Sequence, residues 1–393
     1  MERIGIYGGS FNPPHVGHIR AARYAIEVLQ LSKLLLVPAC TAPHKTLPPN
    51  SPTPRQRCEM LDLAAETGME VCDIELSRGG TSFTCETVEQ LRRQYPEQEL
   101  ILLMGTDMFL SFLTWREPER IVRNASIGVF CRGEKDETES IREQKQKLEA
   151  LRAVVYEVEN PVTAISSTQL RRMLVFQCAA SFLPEKVGAY IAENGLYAAR
   201  KGYRNLSMTE LEQVVTGLLK PNRVAHVLGC RDTAAQLARR WGADETDAAR
   251  GGLLHDITKA LDGSLQLTLC REYGIVLSEF SQNNPKTLHA LTGSLVAERI
   301  FGENPAVVAA IRSHTTGKPG MNTLEKILYV ADYMEPNRDF PGVETLRTLA
   351  FEDLDKALAL GLTMTIDLLK QQGREISPES AEALAFLQRC TSD

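Results

Sequence analysis

Arg3-Ile4-Gly5-Ile6-Tyr7-Gly8-Gly9-Ser10-Phe11-Asn12-Pro13-Pro14-His15-Val16-Gly17-His18 is the stretch on which the fold of the first half turns. Residues 3–7 form a short apolar strand, and residues 19–29 have helical spacing. Gly8 and Gly9 between them carry no side chain, so backbone there can approach a phosphate closely. Pro13 and Pro14 stiffen the loop. A helix starting near Gly17 presents N–H groups and a partial positive charge to an anion. His15 and His18, three residues apart across that start, can point at the same phosphate. A bare H-x-x-H is often a surface or capping pair, but this strand, glycine, proline and helix context favours an anion site.

Outward from there, residues 33–38, 99–104 and 125–130 read as further strands and residues 57–65 as a helix. Continuous apolar strands separated by amphipathic helices indicate a parallel sheet covered on both faces. The charge-rich residues 134–152 have helical propensity and read as a solvated helix or loop excursion. Arg200-Lys201-Gly202-Tyr203-Arg204-Asn205 is polar and reads as a linker. Beyond Ser207 strand-like runs vanish, and helices follow one another with breaks at Pro221, Gly242, Gly274, Pro305, Pro319 and Pro341. The expected organisation is an α/β domain over residues 1–200, a linker at 201–206 and an all-α domain over 207–393.

At 393 residues, two or three domains are expected. Hydrophobic content of 43% and charged content of 24% are those of a soluble globular protein. No apolar run approaches membrane-spanning length and the chain opens on a strand, so neither membrane span nor signal peptide is expected. The nine cysteines are scattered, with no C-x-x-C pair, which points to reduced thiols and a cytoplasmic location. A net charge of −6 offers no overall attraction to nucleic acid. Phosphate-bearing small molecules remain plausible partners, and the composition is compatible with a homo-oligomer.

All seven histidines fall into two sets. The first comprises His15, His18 and His44. Its loop resembles the H-x-G-H signature of the nucleotidyltransferase superfamily, and Ile165-Ser166-Ser167-Thr168-Gln169-Leu170-Arg171 looks like that superfamily's second phosphate-binding segment. Alone, Ser-Ser-Thr before a helix is usually a cap. Further segments resemble the nicotinate mononucleotide adenylyltransferases: Ala42-Pro43-His44-Lys45, the loop from Gly79 to Thr87, Met104-Gly105-Thr106-Asp107, Trp115, and Arg132-Gly133. The resemblance implies a Rossmann-like domain that transfers AMP from ATP, with Mg²⁺, to nicotinate mononucleotide. It implies His15 and His18 as catalytic groups. It places ATP on Gly8, Gly9, Ser10, Phe11, Gly105, Asp107, Ser167, Thr168 and Arg171. The acceptor falls to His44, Lys45, Ser82, Phe83, Thr84, Trp115 and Arg132. Phe83 stands where tyrosine is common, and a lone tryptophan such as Trp115 is ordinarily core.

The second set is His226, His255, His289 and His314, with Asp256 beside His255, Lys259 one turn on, and Asp332 in Tyr329-Val330-Ala331-Asp332-Tyr333. A single His-Asp dipeptide means little; the order H…HD…H…H…D resembles the two-metal members of the HD phosphohydrolase superfamily. The segments His314-Thr315-Thr316-Gly317 and Val330-Ala331-Asp332-Tyr333-Met334-Glu335-Pro336-Asn337-Arg338 resemble the bacterial branch that splits diadenosine tetraphosphate symmetrically. The resemblance implies that His226, His255, Asp256 and Asp332 hold one metal. His289 and His314 hold a second, with Asp256 bridging and Lys259 on a phosphate oxygen or the leaving group. Four imidazoles and two carboxylates suit two transition-metal ions such as iron or manganese better than a closed structural zinc site. The alternatives are a phosphohydrolase of another nucleotide and a metal-bound regulatory module without catalysis.

Overall fold

A computed structural model describes residues 2–41, 51–131, 135–159, 165–197 and 202–390. The chain divides into two compact units, Met1–Arg200 and Lys201–Asp393.

The first unit is built on six parallel strands: β1 (Arg3–Gly9), β2 (Lys33–Pro38), β3 (Met69–Val71), β4 (Glu99–Gly105), β5 (Ser126–Cys131) and β6 (Val155–Glu159). Their order is β3-β2-β1-β4-β5-β6, so β1 and β4 are the central pair and chain direction across the sheet reverses there. The register pairs Ile4 with Leu100 and Tyr7 with Leu103, which brings the ends of both strands to the same edge. Alternate residues face opposite layers. Leu35, Val37, Leu100, Leu102, Ile127 and Val129 pack under Val88 and Leu91 of helix Thr84–Gln94. Leu34, Leu36, Ile101 and Leu103 meet Ile19, Ala22 and Ala25 of helix Val16–Val28 on the other side.

The two short edge strands β3 and β6 were not marked by a long apolar run, since each has only one buried side chain, Met69 and Val158. The acidic stretch is more than a solvated excursion. It forms helix Lys135–Glu149, whose Ile141 and Leu148 enter the core and whose buried Gln144 donates from Nε2 to the Phe109 carbonyl at 3.0 Å. Its charged majority hides a three-residue apolar and amide stripe, which explains the difference.

Among the described residues, every regular element of the second unit is helical. The expected linker is largely tied down within it. Tyr203 packs on Phe301, Arg204 donates from Nη2 to the Arg299 carbonyl at 3.1 Å, and the Leu206 carbonyl accepts from Arg250 at 2.9 Å. Helices Pro221–Trp241 and Glu245–Leu254 pack closely because Gly252 has no Cβ; one built there would lie 2.6 Å from Arg231 Cα. That approach brings His226 beside His255. Among the described residues, no helix is long and apolar enough to cross a membrane.

Candidate active sites

In the first unit the loop leaving β1 lies at the carboxyl edge of the sheet, beside the end of β4, where open α/β sheets form their ligand crevice. His15 is the N-cap of helix Val16–Val28. Its backbone N–H donates to His18 Nδ1 at 3.3 Å, and the two rings stack with centroids 3.6 Å apart. An accepting Nδ1 leaves His18 with its proton on Nε2, the donor form a phosphate oxygen requires. Burial pushes the His15 imidazole down to about 4, so it is neutral at pH 7. Its side chain closes the helix start, with the His18 backbone opposite it.

The loop is held from several sides. Arg57, fully buried, donates from Nη1 to the Ser10 carbonyl at 2.8 Å, and from Nη2 to the Ala39 and Cys40 carbonyls at 2.6 and 3.2 Å. Arg171 donates to the Asn12 carbonyl at 2.8 Å and to Thr168 Oγ1 at 3.0 Å. Tyr197 donates to Asn12 Oδ1 at 2.6 Å. Thus the start of helix Ser167–Val175 is joined to the histidine loop, while Ser166 Oγ is spent on its cap, accepting from Gln169 N at 3.2 Å. Replacing Arg57 by Met strands three carbonyls, each worth about 1–3 kcal/mol if left buried. We expect Arg57→Met to lower the thermal midpoint of the first unit by several degrees, measured by calorimetry; an unchanged midpoint would remove Arg57 from this role.

The remaining residues of this site distribute around the same edge. Gly105 caps the short helix Thr106–Leu110, with Asp107 exposed in its first turn. Gly79 and Gly80 have φ of +70° and +71°, which lets the chain turn so that Thr81 pairs with Thr41. Ser82 Oγ accepts from Cys40 N at 3.0 Å. Phe83 and Thr84 open helix Thr84–Gln94, whose first amides have no intrahelical acceptor. The Arg116 guanidinium covers the Phe83 ring at 4.4 Å. Trp115 is half-buried against the core edge, its ring centroid 5.3 Å from that of Phe112. His44, Lys45 and Arg132 lie outside the described residues.

In the second unit, five helices bring six residues together: His226 on Pro221–Trp241, His255 and Asp256 after Glu245–Leu254, His289 on Leu288–Val296, His314 after Pro305–Ser313, and Asp332 on Thr323–Met334. All four imidazoles and Asp256 are buried. Every Nδ1 is committed. His255, His289 and His314 each donate to the carbonyl three residues earlier, those of Gly252, Lys286 and Ile311, at 2.8, 2.8 and 2.6 Å. His226 Nδ1 donates to Glu335 Oε1 at 3.0 Å. Each Nε2 therefore faces the centre, and in the neutral ring with its proton on Nδ1 it offers the lone pair a metal ligand needs.

Asp256 stands between the two pairs. Its Oδ2 lies 3.7 and 3.6 Å from Nε2 of His226 and His255, and its Oδ1 3.4 and 3.9 Å from Nε2 of His289 and His314. Asp332 Oδ1 lies 3.1 Å from His226 Nε2. Burial pushes the Asp256 carboxyl up, but His255, Lys259 and His289 outweigh it and hold the group below the usual carboxylate range. Burial drives His289 down to about 4 and His314 to about 3. Arg223 pairs with Asp256 and Arg338 with Asp332. The set thus suits a borderline divalent ion: inward imidazole nitrogens and carboxylates, desolvated, with outer partners in place. Asp256 Oδ1, buried without a hydrogen-bond partner, agrees with that use.

Three neighbours escaped the sequence reading. Cys230 Sγ is 3.7 and 3.9 Å from the two nitrogens of His226. Being nearly equidistant, it flanks the ring and is not in line with the Nε2 lone pair. Arg223 belongs to the residues just before His226 and gave no signal of its own. Glu335 was visible in the quoted segment after Asp332, yet nothing assigned it a task. It is fully buried and also accepts from Asn337 N at 2.7 Å, and Gly229 leaves the room its carboxylate occupies. Outer partners of this kind typically set about 10–100-fold in metal affinity. Glu335→Ala is therefore expected to weaken metal retention by that order, read as ions per chain after dialysis; full retention would make Glu335 a packing residue only.

A doubly wound parallel sheet carrying a histidine pair at its central crevice, followed by a helical unit with a buried histidine–aspartate centre, defines a nucleotidyltransferase-type domain joined to an HD-type domain. The cytidylyltransferase-like family matches residues 6–173 and the HD domain family matches residues 223–337. The probable nicotinate-nucleotide adenylyltransferase of Dictyoglomus thermophilum is 36% identical over 198 residues, 50% of this chain and 99% of its own length. The symmetrical bis(5'-nucleosyl)-tetraphosphatase of Halalkalibacterium halodurans is 40% identical over 169 residues, 43% of this chain and 90% of its own. A crystal structure of a predicted HD superfamily hydrolase involved in NAD metabolism, from Clostridium acetobutylicum, is 36% identical, spanning 47% of this chain and 98% of its own with a TM-score of 0.46. The chain belongs to the nicotinate-nucleotide adenylyltransferase family in its first half and to the HD-domain symmetrical tetraphosphatase family in its second. The fold class and both resemblances expected from the sequence are those found.

Proposed function

We propose that this chain is a bifunctional enzyme. Residues 1–200 transfer AMP from ATP to nicotinate mononucleotide, releasing pyrophosphate, and residues 207–393 hydrolyse diadenosine tetraphosphate to two ADP. The first reading is carried by the stacked His15–His18 pair at a helix start on the central crevice. The acceptor phosphate attacks the α-phosphorus in line, so no protein nucleophile is required and the protein's work is positioning and charge stabilisation. His18 donates from Nε2 to a phosphate oxygen, and His15 lines the same pocket. Gly8, Gly9, Ser10 and Phe11 shape the phosphate loop. Gly105 and Asp107 border ATP from β4, and Ser167, Thr168 and Arg171 from the joined helix start. Ser82, Phe83, Thr84 and Trp115, with His44, Lys45 and Arg132, take the acceptor. Mg²⁺, bound with ATP, would offset the charge of the leaving pyrophosphate.

The second reading is carried by the convergence of four Nε2 atoms on Asp256. His226, His255, Asp256 and Asp332 would hold one ion, and His289 and His314, with Asp256 shared, another; iron and manganese fit these donors. Ions so held supply a water acidic enough to attack phosphorus and a clamp on the phosphate. The chain's own residues fix the tautomers through main-chain carbonyls and Glu335, exclude bulk water by burial, and present Arg223, Lys259 and Arg338 as cations for an anionic substrate. The test is to incubate the metal-loaded chain with diadenosine tetraphosphate and separate the products, with His255→Ala as control. Two ADP, absent with the variant, are expected. ATP plus AMP would overturn symmetric cleavage, and no turnover at full metal content would overturn diadenosine tetraphosphate as the substrate, leaving another nucleotide or a regulatory role.

A further inference from the structure

We propose that the amine head of Lys259 takes the place of one of the two ions. The centre then binds metal at two unequal sites, the weaker one filling only when Lys259 moves out. The inference rests on the two-ion reading above and comes from accounting for every lone pair in the cluster.

With both Nδ1 atoms turned to outward partners, the Nε2 atoms of His226 and His255 face one another 3.3 Å apart, close enough to share a proton or an ion. The carboxylate oxygen Asp332 Oδ1 is 3.1 and 3.8 Å from them. Arg338 serves Asp332, but among the described residues no lysine or hydroxyl stands between the two imidazoles, and the Cys230 thiol at 3.7 Å is a weak donor. Two ring nitrogens and a carboxylate oxygen gathered face to face in a buried site need one positive charge among them, a proton or a metal ion.

His289 and His314 are in the opposite condition. Lys259 Nζ donates to His289 Nε2 at 2.8 Å and lies 3.5 Å from Asp256 Oδ1. Thr315 Oγ1 is 3.1 Å from Nε2 of both His289 and His314. A hydroxyl has one hydrogen, and with His289 served by Lys259 that hydrogen goes to His314. Both lone pairs of this half are therefore already used by the chain's own donors. An imidazole lone pair serves one partner at a time, so an ion at His289 must first displace Nζ. Two cations at this spacing also repel one another. Lys259 has a way out, since its side chain is 39% exposed, and a polyphosphate at the mouth of the site would receive it.

The experiment strips the full chain of metal with a chelator. Mn²⁺ is then titrated by calorimetry, and the ions kept after gel filtration are counted for the wild type, Lys259→Met and Lys259→Gln. The wild type is expected to bind one ion tightly and a second more weakly. Loss of the charged donor is expected to tighten the second site by on the order of ten- to a hundred-fold and to leave the first unchanged. Two equal sites in the wild type, or a second site that neither variant tightens, would overturn the role of Lys259. If all three chains stop at one ion, the two-ion reading itself falls and this inference with it. The glutamine variant keeps a polar but uncharged side chain, one bond shorter, so the comparison survives poor folding of the methionine variant.

Discussion

Asp256→Asn is expected to remove hydrolysis of diadenosine tetraphosphate while adenylyl transfer continues. Asp256 is 1% exposed and both of its oxygens face imidazoles, two histidines on each. An amide keeps one acceptor and turns an NH₂ toward lone pairs that need a cation. It loses the negative charge that would offset two ions, and it leaves Arg223 without its partner. Outer-sphere changes alone typically cost about 10–100-fold, so a shared carboxylate is expected to cost roughly a thousand-fold or more in rate. Ions per chain, ADP release and dinucleotide formation should be measured on one preparation. Retention of more than a tenth of the hydrolysis would exclude a bridging role. Loss of both activities would point to misfolding and is not expected, because each unit has its own core.

His18→Ala should produce the mirror result. Removing one preorganised donor to a developing charge typically costs about 10²–10³ in rate. His18 is fixed by the His15 N–H on Nδ1 and by stacking against His15. Because Nδ1 is already engaged, Asn, whose carbonyl could accept the same backbone bond, would not restore a donor where Nε2 stood. The expected outcome is a fall of that size in adenylyl transfer with unchanged hydrolysis and an unchanged unfolding midpoint. A variant that keeps more than a tenth of the transfer rate would exclude His18 from the chemistry.

The long apolar strands announced the sheet because both faces are covered, which makes every residue of 34–37 and 100–104 buried. Edge strands β3 and β6 lack that double cover and so lacked the pattern. Helix Lys135–Glu149 was read as solvated because sequence charge is an average over a surface, whereas Ile141, Gln144 and Leu148 form a narrow inward stripe. The histidines and aspartates were legible through their order and surroundings. Arg57, Glu335 and Thr315 were not, because their work depends on which carbonyl, ring nitrogen or hydroxyl lies opposite. Those are facts of tertiary placement, not of spacing along the chain.

Three of the four rings at the buried centre anchor Nδ1 on the carbonyl three residues upstream, and two of them, His255 and His314, cap their helices at the carboxyl end. The orientation of these ligands is therefore written into main chain, which substitutions in the surrounding side chains do not erase. Whatever pulls on one of these nitrogens also tightens a helix end. An ion captured here would brace the scaffold that captures it, and its hold would be felt as slower fraying of the second unit's helices.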